Sequence, residues 1–297
     1  MQLQKATRQQ SRIKLSLSGS AGSGKTYSAL QLAKGICNEW DKIAVIDSEN
    51  YSASLYAQLG PFQVVNLAAA FTPESYIEAI KLCEGSGIEV IIIDSISHEW
   101  SGKGGCLDLH EKETSRMKMQ NSFTAWASIT PRHQAFVDAI IQSSCHIICC
   151  IRSKTEYLLT EKNGRQVPQK VGMAPITRDG FEFEVSIHFE LDQQHKAFCS
   201  KDRTGLFMDK DPFVITPNTG NQLLEWCMGG DAPAADDVTR RINDCKSLNE
   251  LLQIYKSFPQ YKLSLLPEFE LRKRQLIITQ DIKTQLSNQP INQNGTH

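Results

Sequence analysis

Gly19-Ser20-Ala21-Gly22-Ser23-Gly24-Lys25-Thr26 has the residue types and order needed to hold a chain of phosphates. Three glycines let the backbone turn its N–H groups inward, and a helix starting behind them adds the positive end of its dipole. Lys25 is spaced to reach the β- and γ-phosphates, and the Thr26 hydroxyl to ligate Mg²⁺. A second chemical residue is Asp94, which ends the apolar run Val90-Ile91-Ile92-Ile93. A buried strand that delivers a carboxylate at its C-terminal edge, beside a phosphate loop, completes a magnesium shell. These residues imply a nucleoside triphosphate, ATP, with Mg²⁺ as its companion.

Such groups act together only if strands and helices place them at one edge of a sheet. The run Ile13–Ser18 alternates as a strand, and Ala29-Leu30-Gln31-Leu32-Ala33 has helical spacing, so the loop joins a strand to a helix. Lys42–Asp47 reads as another buried strand, Ser54–Leu59 as a helix and Gln63–Leu67 as a short strand. Thr72-Pro73-Glu74-Ser75 opens a helix that Gly85-Ser86-Gly87 closes. Thr130-Pro131 is expected to begin a helix through Ser143, followed by a strand over Cys145–Ile151. Residues 152–179 have no apolar period and read as a long loop. The alternation of Phe183, Val185, Ile187 and Phe189 predicts a strand over Glu182–Glu190, with Lys196–Ser200 as its hairpin partner. Strands alternating with helices imply an α/β fold: a mainly parallel central sheet flanked by helices, antiparallel at one edge.

Residues that follow the second strand narrow the family. Asp47-Ser48-Glu49, then Ser54-Leu55-Tyr56-Ala57-Gln58-Leu59-Gly60, resembles the corresponding stretch of the RecA recombinases, where a strand ends in Asp-small-Glu and a short helix carries Tyr-Ala before Leu-Gly. The resemblance implies that Glu49 polarises the attacking water, a role open to a carboxylate in line with the γ-phosphate. Glu99, five residues beyond Asp94, is the rival base. Cys150 stands where the RecA family has a glutamine that senses the γ-phosphate, and a thiol cannot replace an amide there. The coupling would then run through Arg152. Lys201-Asp202-Arg203 is similar to the Lys-x-Arg element of RadA, KaiC and DnaB-type helicases, which implies that Lys201 and Arg203 act in trans on a neighbour's ATP. The likeness spans about 10–228 and is greatest to the core-only RecA-type ATPases of phages and mobile elements, which bind or anneal single-stranded DNA.

In RecA folds the DNA-gripping loops follow the Asp94-type strand and the next core strand, here about 99–122 and 152–180. The second carries Arg152, Lys154, Lys162, Arg165, Lys170 and Arg178 against Glu156 and Glu161, with Tyr157 and Met173 able to stack on bases. A basic stretch with few aromatics favours backbone contact over base reading.

Composition bounds these expectations. The 297 residues suffice for one large α/β domain and a small appendage. A net charge of −1 excludes a globally basic nucleic-acid coat, so any polynucleotide contact is local. No apolar run spans a bilayer, and the N-terminus has no apolar leader core, so the expected location is the cytoplasm. The nine cysteines form no C-x-x-C pair, and Cys145, Cys149 and Cys150 read as strand fillers in preference to a metal site with His146. The organisation expected is an ATPase domain over 1–228, a linker over 229–236, a helical tail over 237–285 and disorder over 286–297. The leading function is an ATP-hydrolysing, self-associating, single-strand DNA-binding protein of recombination, annealing or replication. The alternatives are a nucleotide-regulated scaffold or defence-type switch without DNA activity, and a small-molecule kinase.

Overall fold

The computed structural model describes residues 8, 11–117, 122–162, 165–229, 235–258 and 261–287, without the side chains of 156–162, 165–172, 236–237, 253, 256–257 and 280–287. The chain divides into two compact units, one over Gln10–Met228 and one containing Gly229–His297.

The first unit is built on a twisted sheet of nine strands. They are β1 (Lys14–Gly19), β2 (Ile43–Asp47), β3 (Gln63–Asn66), β4 (Val90–Asp94), β5 (His146–Lys162), β6 (Arg165–Pro175), β7 (Ile187–Leu191), β8 (Lys196–Asp202) and β9 (Phe213–Val214). The order is β3-β2-β4-β5-β1-β7-β8-β9, with β6 paired to β5 off this path. Along that order, the strands from β3 to β7 are parallel to one another, whereas β8 and β9 add antiparallel at the edge. The central strands are apolar throughout because both faces are covered. In β4, Val90 and Ile92 join Leu15, Leu17, Leu30, Ala33 and Phe189 on one face; Ile91 and Ile93 join Tyr76, Ile80, Phe136 and Ile140 on the other.

Helices cover both faces. Helix α1 (Lys25–Cys37) follows the phosphate loop, and α7 (Pro217–Met228) packs on it. That contact is unusually close: a Cβ on Gly35 would lie 1.9 Å from the Pro217 carbonyl oxygen, and one on Gly220 2.2 Å from that of Leu32. On the opposite face lie α2 (Pro73–Gly85) and α5 (Ser122–Gln142), with α3 (Ser97–Ser101) and α4 (Cys106–Arg116) after β4. Thr72 caps α2, its hydroxyl accepting from the Ser75 N–H, and Pro73 occupies the first turn.

Three local expectations are corrected. Pro131 does not begin its helix: α5 starts at Ser122 and carries Pro131 inside, because Ala125 and Ile129 continue the same buried stripe upstream of it. The expected loop over 152–179 is largely the hairpin β5–β6, whose ladder runs from Ser153↔Pro175 to Lys162↔Arg165 with a register shift at Glu156/Tyr157. The strand expected over Glu182–Glu190 is split. Gly180, at φ +92°, turns the chain into the short helix α6 (Phe181–Glu184), and β7 begins only at Ile187. Phe183 therefore points outward, 67% exposed, while Phe181 takes the core position.

The second unit contains α8 (Ala235–Asp244), α9 (Leu248–Ser257) and α10 (Leu266–Ser287) around Val238, Ile242, Leu251, Phe258, Leu265 and Phe269. Ser247 caps α9 through the Glu250 N–H. Residues 230–234 of the expected linker, and 288–297 of the expected disordered end, lie outside the described residues. No described helix is long and apolar enough to cross a membrane.

Candidate active site

The phosphate loop lies between β1 and α1 at the C-terminal edge of the sheet, where Asp94, Glu49 and Arg152 also emerge from β4, β2 and β5. Gly24 takes φ +87°, a conformation glycine adopts without strain, and a Cβ there would lie 3.0 Å from Nδ1 of His195. Lys25 is buried and donates to the carbonyls of Gly19 and Ser20, both at 2.9 Å. It thus closes the loop on itself until phosphate oxygens take its ammonium. The Ser23 hydroxyl is buried and has no hydrogen-bond partner among the described residues, as expected of a loop shaped for an anion.

Thr26 donates to Asp94 Oδ2 at 2.5 Å. Burial is the largest influence on Asp94 and raises its carboxyl to about 6, while the Thr26 hydrogen bond opposes it. A buried carboxylate and a hydroxyl in contact, both hard oxygen donors, fit Mg²⁺. Thr26 and Asp94 would hold that ion, which when bound neutralises charge on the β- and γ-phosphate oxygens.

Glu49 is half-buried and forms an ion pair with Arg152, Nε to Oε1 at 2.6 Å. Burial pushes the Glu49 carboxyl up, but the Arg152 hydrogen bond and charge outweigh it and hold the group below the usual range. Glu49 is thereby held as a carboxylate, with Oε1 taken by the Arg152 guanidinium. Asp47, behind it, accepts from the backbone N–H groups of Glu49 (2.6 Å) and Ala53 (2.8 Å), which fixes the turn that carries Glu49. A cavity of about 550 Å³ is lined by Gly22, Gly24, Lys25, Thr26, Glu49, Tyr56, Asp94, Arg152 and His195, among others. The residues expected to bind phosphate, metal and water thus converge.

Other expected site residues lie elsewhere. Glu99 is fully buried and bonded by Cys106 (3.0 Å) and His133 (3.1 Å), and it does not line that cavity. It is not a base within reach of the phosphates. Lys201 and Arg203 converge on the Phe183 carbonyl oxygen, Arg203 at 3.5 Å, so the pair has a partner within its own fold. Lys201 lines a separate cavity of about 840 Å³ that also touches Gly19 and Ser20. Cys150 is opposite Asp94 in the β4–β5 ladder and fully buried. Cys145 and Cys149 also pack in the core, and His146 accepts from the Ile13 N–H at 3.1 Å. Lys154 is exposed and Arg178 half-buried, whereas the side chains of Lys162, Arg165 and Lys170 lie outside the described ones.

The β7–β8 turn was expected from the sequence, but not that it leans on the phosphate loop. Gln193 donates to Ser20 Oγ and, at 3.4 Å, to the Ala21 carbonyl. The local signal there is turn chemistry over Asp192–His195, which gives no hint of a target. Also missed was a groove of about 1310 Å³ lined by Trp100, Leu107, Phe123, Trp126, Lys154 and Arg178, among others. Trp100 and Trp126 stack there with centroids 5.6 Å apart, and His110 stacks on Trp126 at 4.2 Å.

No curated protein matches the chain. Residues 11–204 match the family described as AAA domain, well over half of the chain, and the match takes in the phosphate loop, Glu49, Asp94, Arg152 and Lys201–Arg203. With the loop closed by Lys25, the Thr26–Asp94 contact and the carboxylate of Glu49 in one cavity, the chain belongs to the AAA-domain family of P-loop ATPases, whose work is to bind and hydrolyse nucleotide.

Proposed function

We propose that this ATPase binds single-stranded DNA and acts as an ATP-dependent oligomer in recombination, annealing or replication. The observation that carries the reading is the groove at the root of the β5–β6 hairpin. It combines stacked aromatic rings with cations at its rim: Trp100, Trp126 and the 88% exposed Phe123 on one side, Lys154 and Arg178 on the other. Aromatic faces accept any base, and cations follow the phosphates, which is the chemistry of sequence-tolerant single-strand binding. Arg152, two residues before Lys154 on the same strand, bonds Glu49. Occupation of the groove would bear directly on the group that positions water. Lys201 and Arg203, outside their own nucleotide cavity, would serve the ATP of an adjoining copy across a head-to-tail interface.

The test is ATP turnover with and without single-stranded DNA, together with binding at several salt concentrations. Stimulated turnover is expected, with affinity falling steeply as salt rises. Replacing Lys162, Arg165 and Lys170 with Ala should flatten that dependence by ~0.7 in log–log slope for each phosphate that a cation no longer neutralises. ATP hydrolysis that is indifferent to DNA, with no DNA binding at low salt, would sink this reading in favour of a nucleotide-regulated scaffold.

A further inference from the structure

Glu99, Cys106 and His133 come from three different helices, α3, α4 and α5, and meet where none of them is accessible to solvent beyond a few per cent. The Cys106 thiol lies 3.0 Å from Glu99 Oε1, and His133 Nδ1 lies 3.1 Å from each Glu99 oxygen. All three potential ligand atoms lie within 4.8 Å of one another. Around a tetrahedral zinc ion, with bonds of about 2.0–2.3 Å, ligand atoms are separated by roughly 3.3–3.5 Å. The contacts at 3.0 and 3.1 Å are already close to those separations, and the widest, at most 4.8 Å, exceeds them by no more than about 1.5 Å.

We propose that Glu99, Cys106 and His133 form a binding site for a zinc-type divalent cation, separate from the Mg²⁺ site at Thr26 and Asp94. The donor sets differ in kind. Thr26 and Asp94 offer only hard oxygens, suited to Mg²⁺, whereas thiolate with imidazole selects a borderline-soft ion such as Zn²⁺. Three protein ligands leave one position for a water molecule. On binding, Cys106 releases its thiol proton to solvent and His133 coordinates as neutral imidazole, so uptake is accompanied by proton release. The bound ion would pin α3, α4 and α5 together behind the groove. Trp100 already packs edge-on to His133, with centroids 5.4 Å apart, so the metal would fix the aromatic wall through its own ligand.

The experiment uses the full chain without nucleotide or DNA. Purified protein is stripped with a chelator, dialysed into metal-free buffer and titrated with Zn²⁺ and, separately, Co²⁺. Expected are one Zn²⁺ bound per chain and, with Co²⁺, the visible bands of tetrahedral coordination together with a thiolate-to-cobalt charge-transfer band. Cys106→Ser should remove the charge-transfer band and weaken Zn²⁺ binding by at least about 100-fold, the upper end of what loss of even an outer-shell partner does. His133→Ala should weaken it similarly. A folded parent protein that takes up no Zn²⁺, or whose Co²⁺ complex has no thiolate band, overturns the proposal directly and needs no variant. Stoichiometric binding unchanged in a folded Cys106→Ser protein would overturn it too, by locating the metal elsewhere.

Discussion

The nucleotide cavity and the aromatic groove both draw on strand β5, through Arg152 and Lys154, yet they are built by opposite means. The cavity is made by backbone and short polar side chains: a glycine at φ +87°, a lysine bonded to two carbonyls, a threonine on an aspartate. Its groups are held before a ligand arrives, so it suits one charge distribution. The groove is made by large rings from α3 and α5 with cations from β5 and the segment after β6. Ring faces and flexible cations accommodate many ligands of one general kind. Fixed dipoles shape the first region, and in the function proposed above an adaptable surface would give the second its tolerance.

Substitutions should break that contrast to different degrees. The largest effect is expected for Lys25→Ala. It removes the ammonium that faces the phosphates, and nucleotide binding should fall below detection in a fluorescent-nucleotide titration. Glu49→Gln should leave that titration nearly unchanged while lowering steady-state turnover by about 10²–10⁴, the usual span for a positioned base. Equal losses of binding and turnover would place Glu49 in the cradle instead. On the other side of the comparison, Trp126→Ala should weaken single-strand binding by ~1–3 kcal/mol, the worth of one stacked base, and spare DNA-free ATP turnover. A drop in DNA-free turnover of the same size would mean that the two regions are not separable.

An effect of similar size, confined to stability, concerns the join between β7 and β1. His188 bridges β7 to β1, with Ser16 Oγ 2.6 Å from Nδ1 and Ser18 Oγ 3.1 Å from Nε2. Burial, then the charge of Lys201, lowers its pKa to about 4. A histidine depressed in the fold binds fewer protons there than when unfolded. Its contribution to stability is therefore complete above about 6.5 and is lost as pH falls towards 4. Chemical denaturation between about pH 7 and 4.5 should lose on the order of 1–3 kcal/mol from this group, and His188→Gln should flatten that slope. His146, lowered to about 3 mainly by burial, would leave a residual slope in the variant.

The nucleotide cavity was legible because its chemistry is contiguous in sequence. Gly19 to Thr26 is one loop, and Asp94 ends a run of apolar residues that announces a buried parallel strand. The groove was not, since Trp100, Trp126, Lys154 and Arg178 are far apart in the chain and only the folding of α5 and β5 assembles them. Two corrections share a physical cause, a local pattern that tertiary packing overrides. Pro131 resembles a helix start but lies within a helix whose buried stripe is already set by Ala125 and Ile129. Phe183 alternates with Val185 and Ile187, yet Gly180 redirects the chain so that Phe181 is buried instead. For Glu99, closeness to Asp94 in the chain suggests a catalytic role, but the side chain turns into the protein to meet Cys106 and His133.

Strand β5 runs from His146, deep between β4 and β1, through Arg152 to Lys162 in the hairpin, with one register shift against β6 at Glu156/Tyr157. An extended backbone rises about 3.3 Å per residue, and an irregularity in its ladder is where such a strand bends. Only Ser153 to Glu156 separate Arg152 from that irregularity, so the 2.6 Å contact of Arg152 with Glu49 lies a few residues from where the hairpin can bend. One end of the strand is anchored in the sheet by its ladder with β1 and β4, and the other reaches beyond it as the hairpin. Under the function proposed above, Arg152 is the point at which whatever moves the hairpin would be felt by the carboxylate of Glu49.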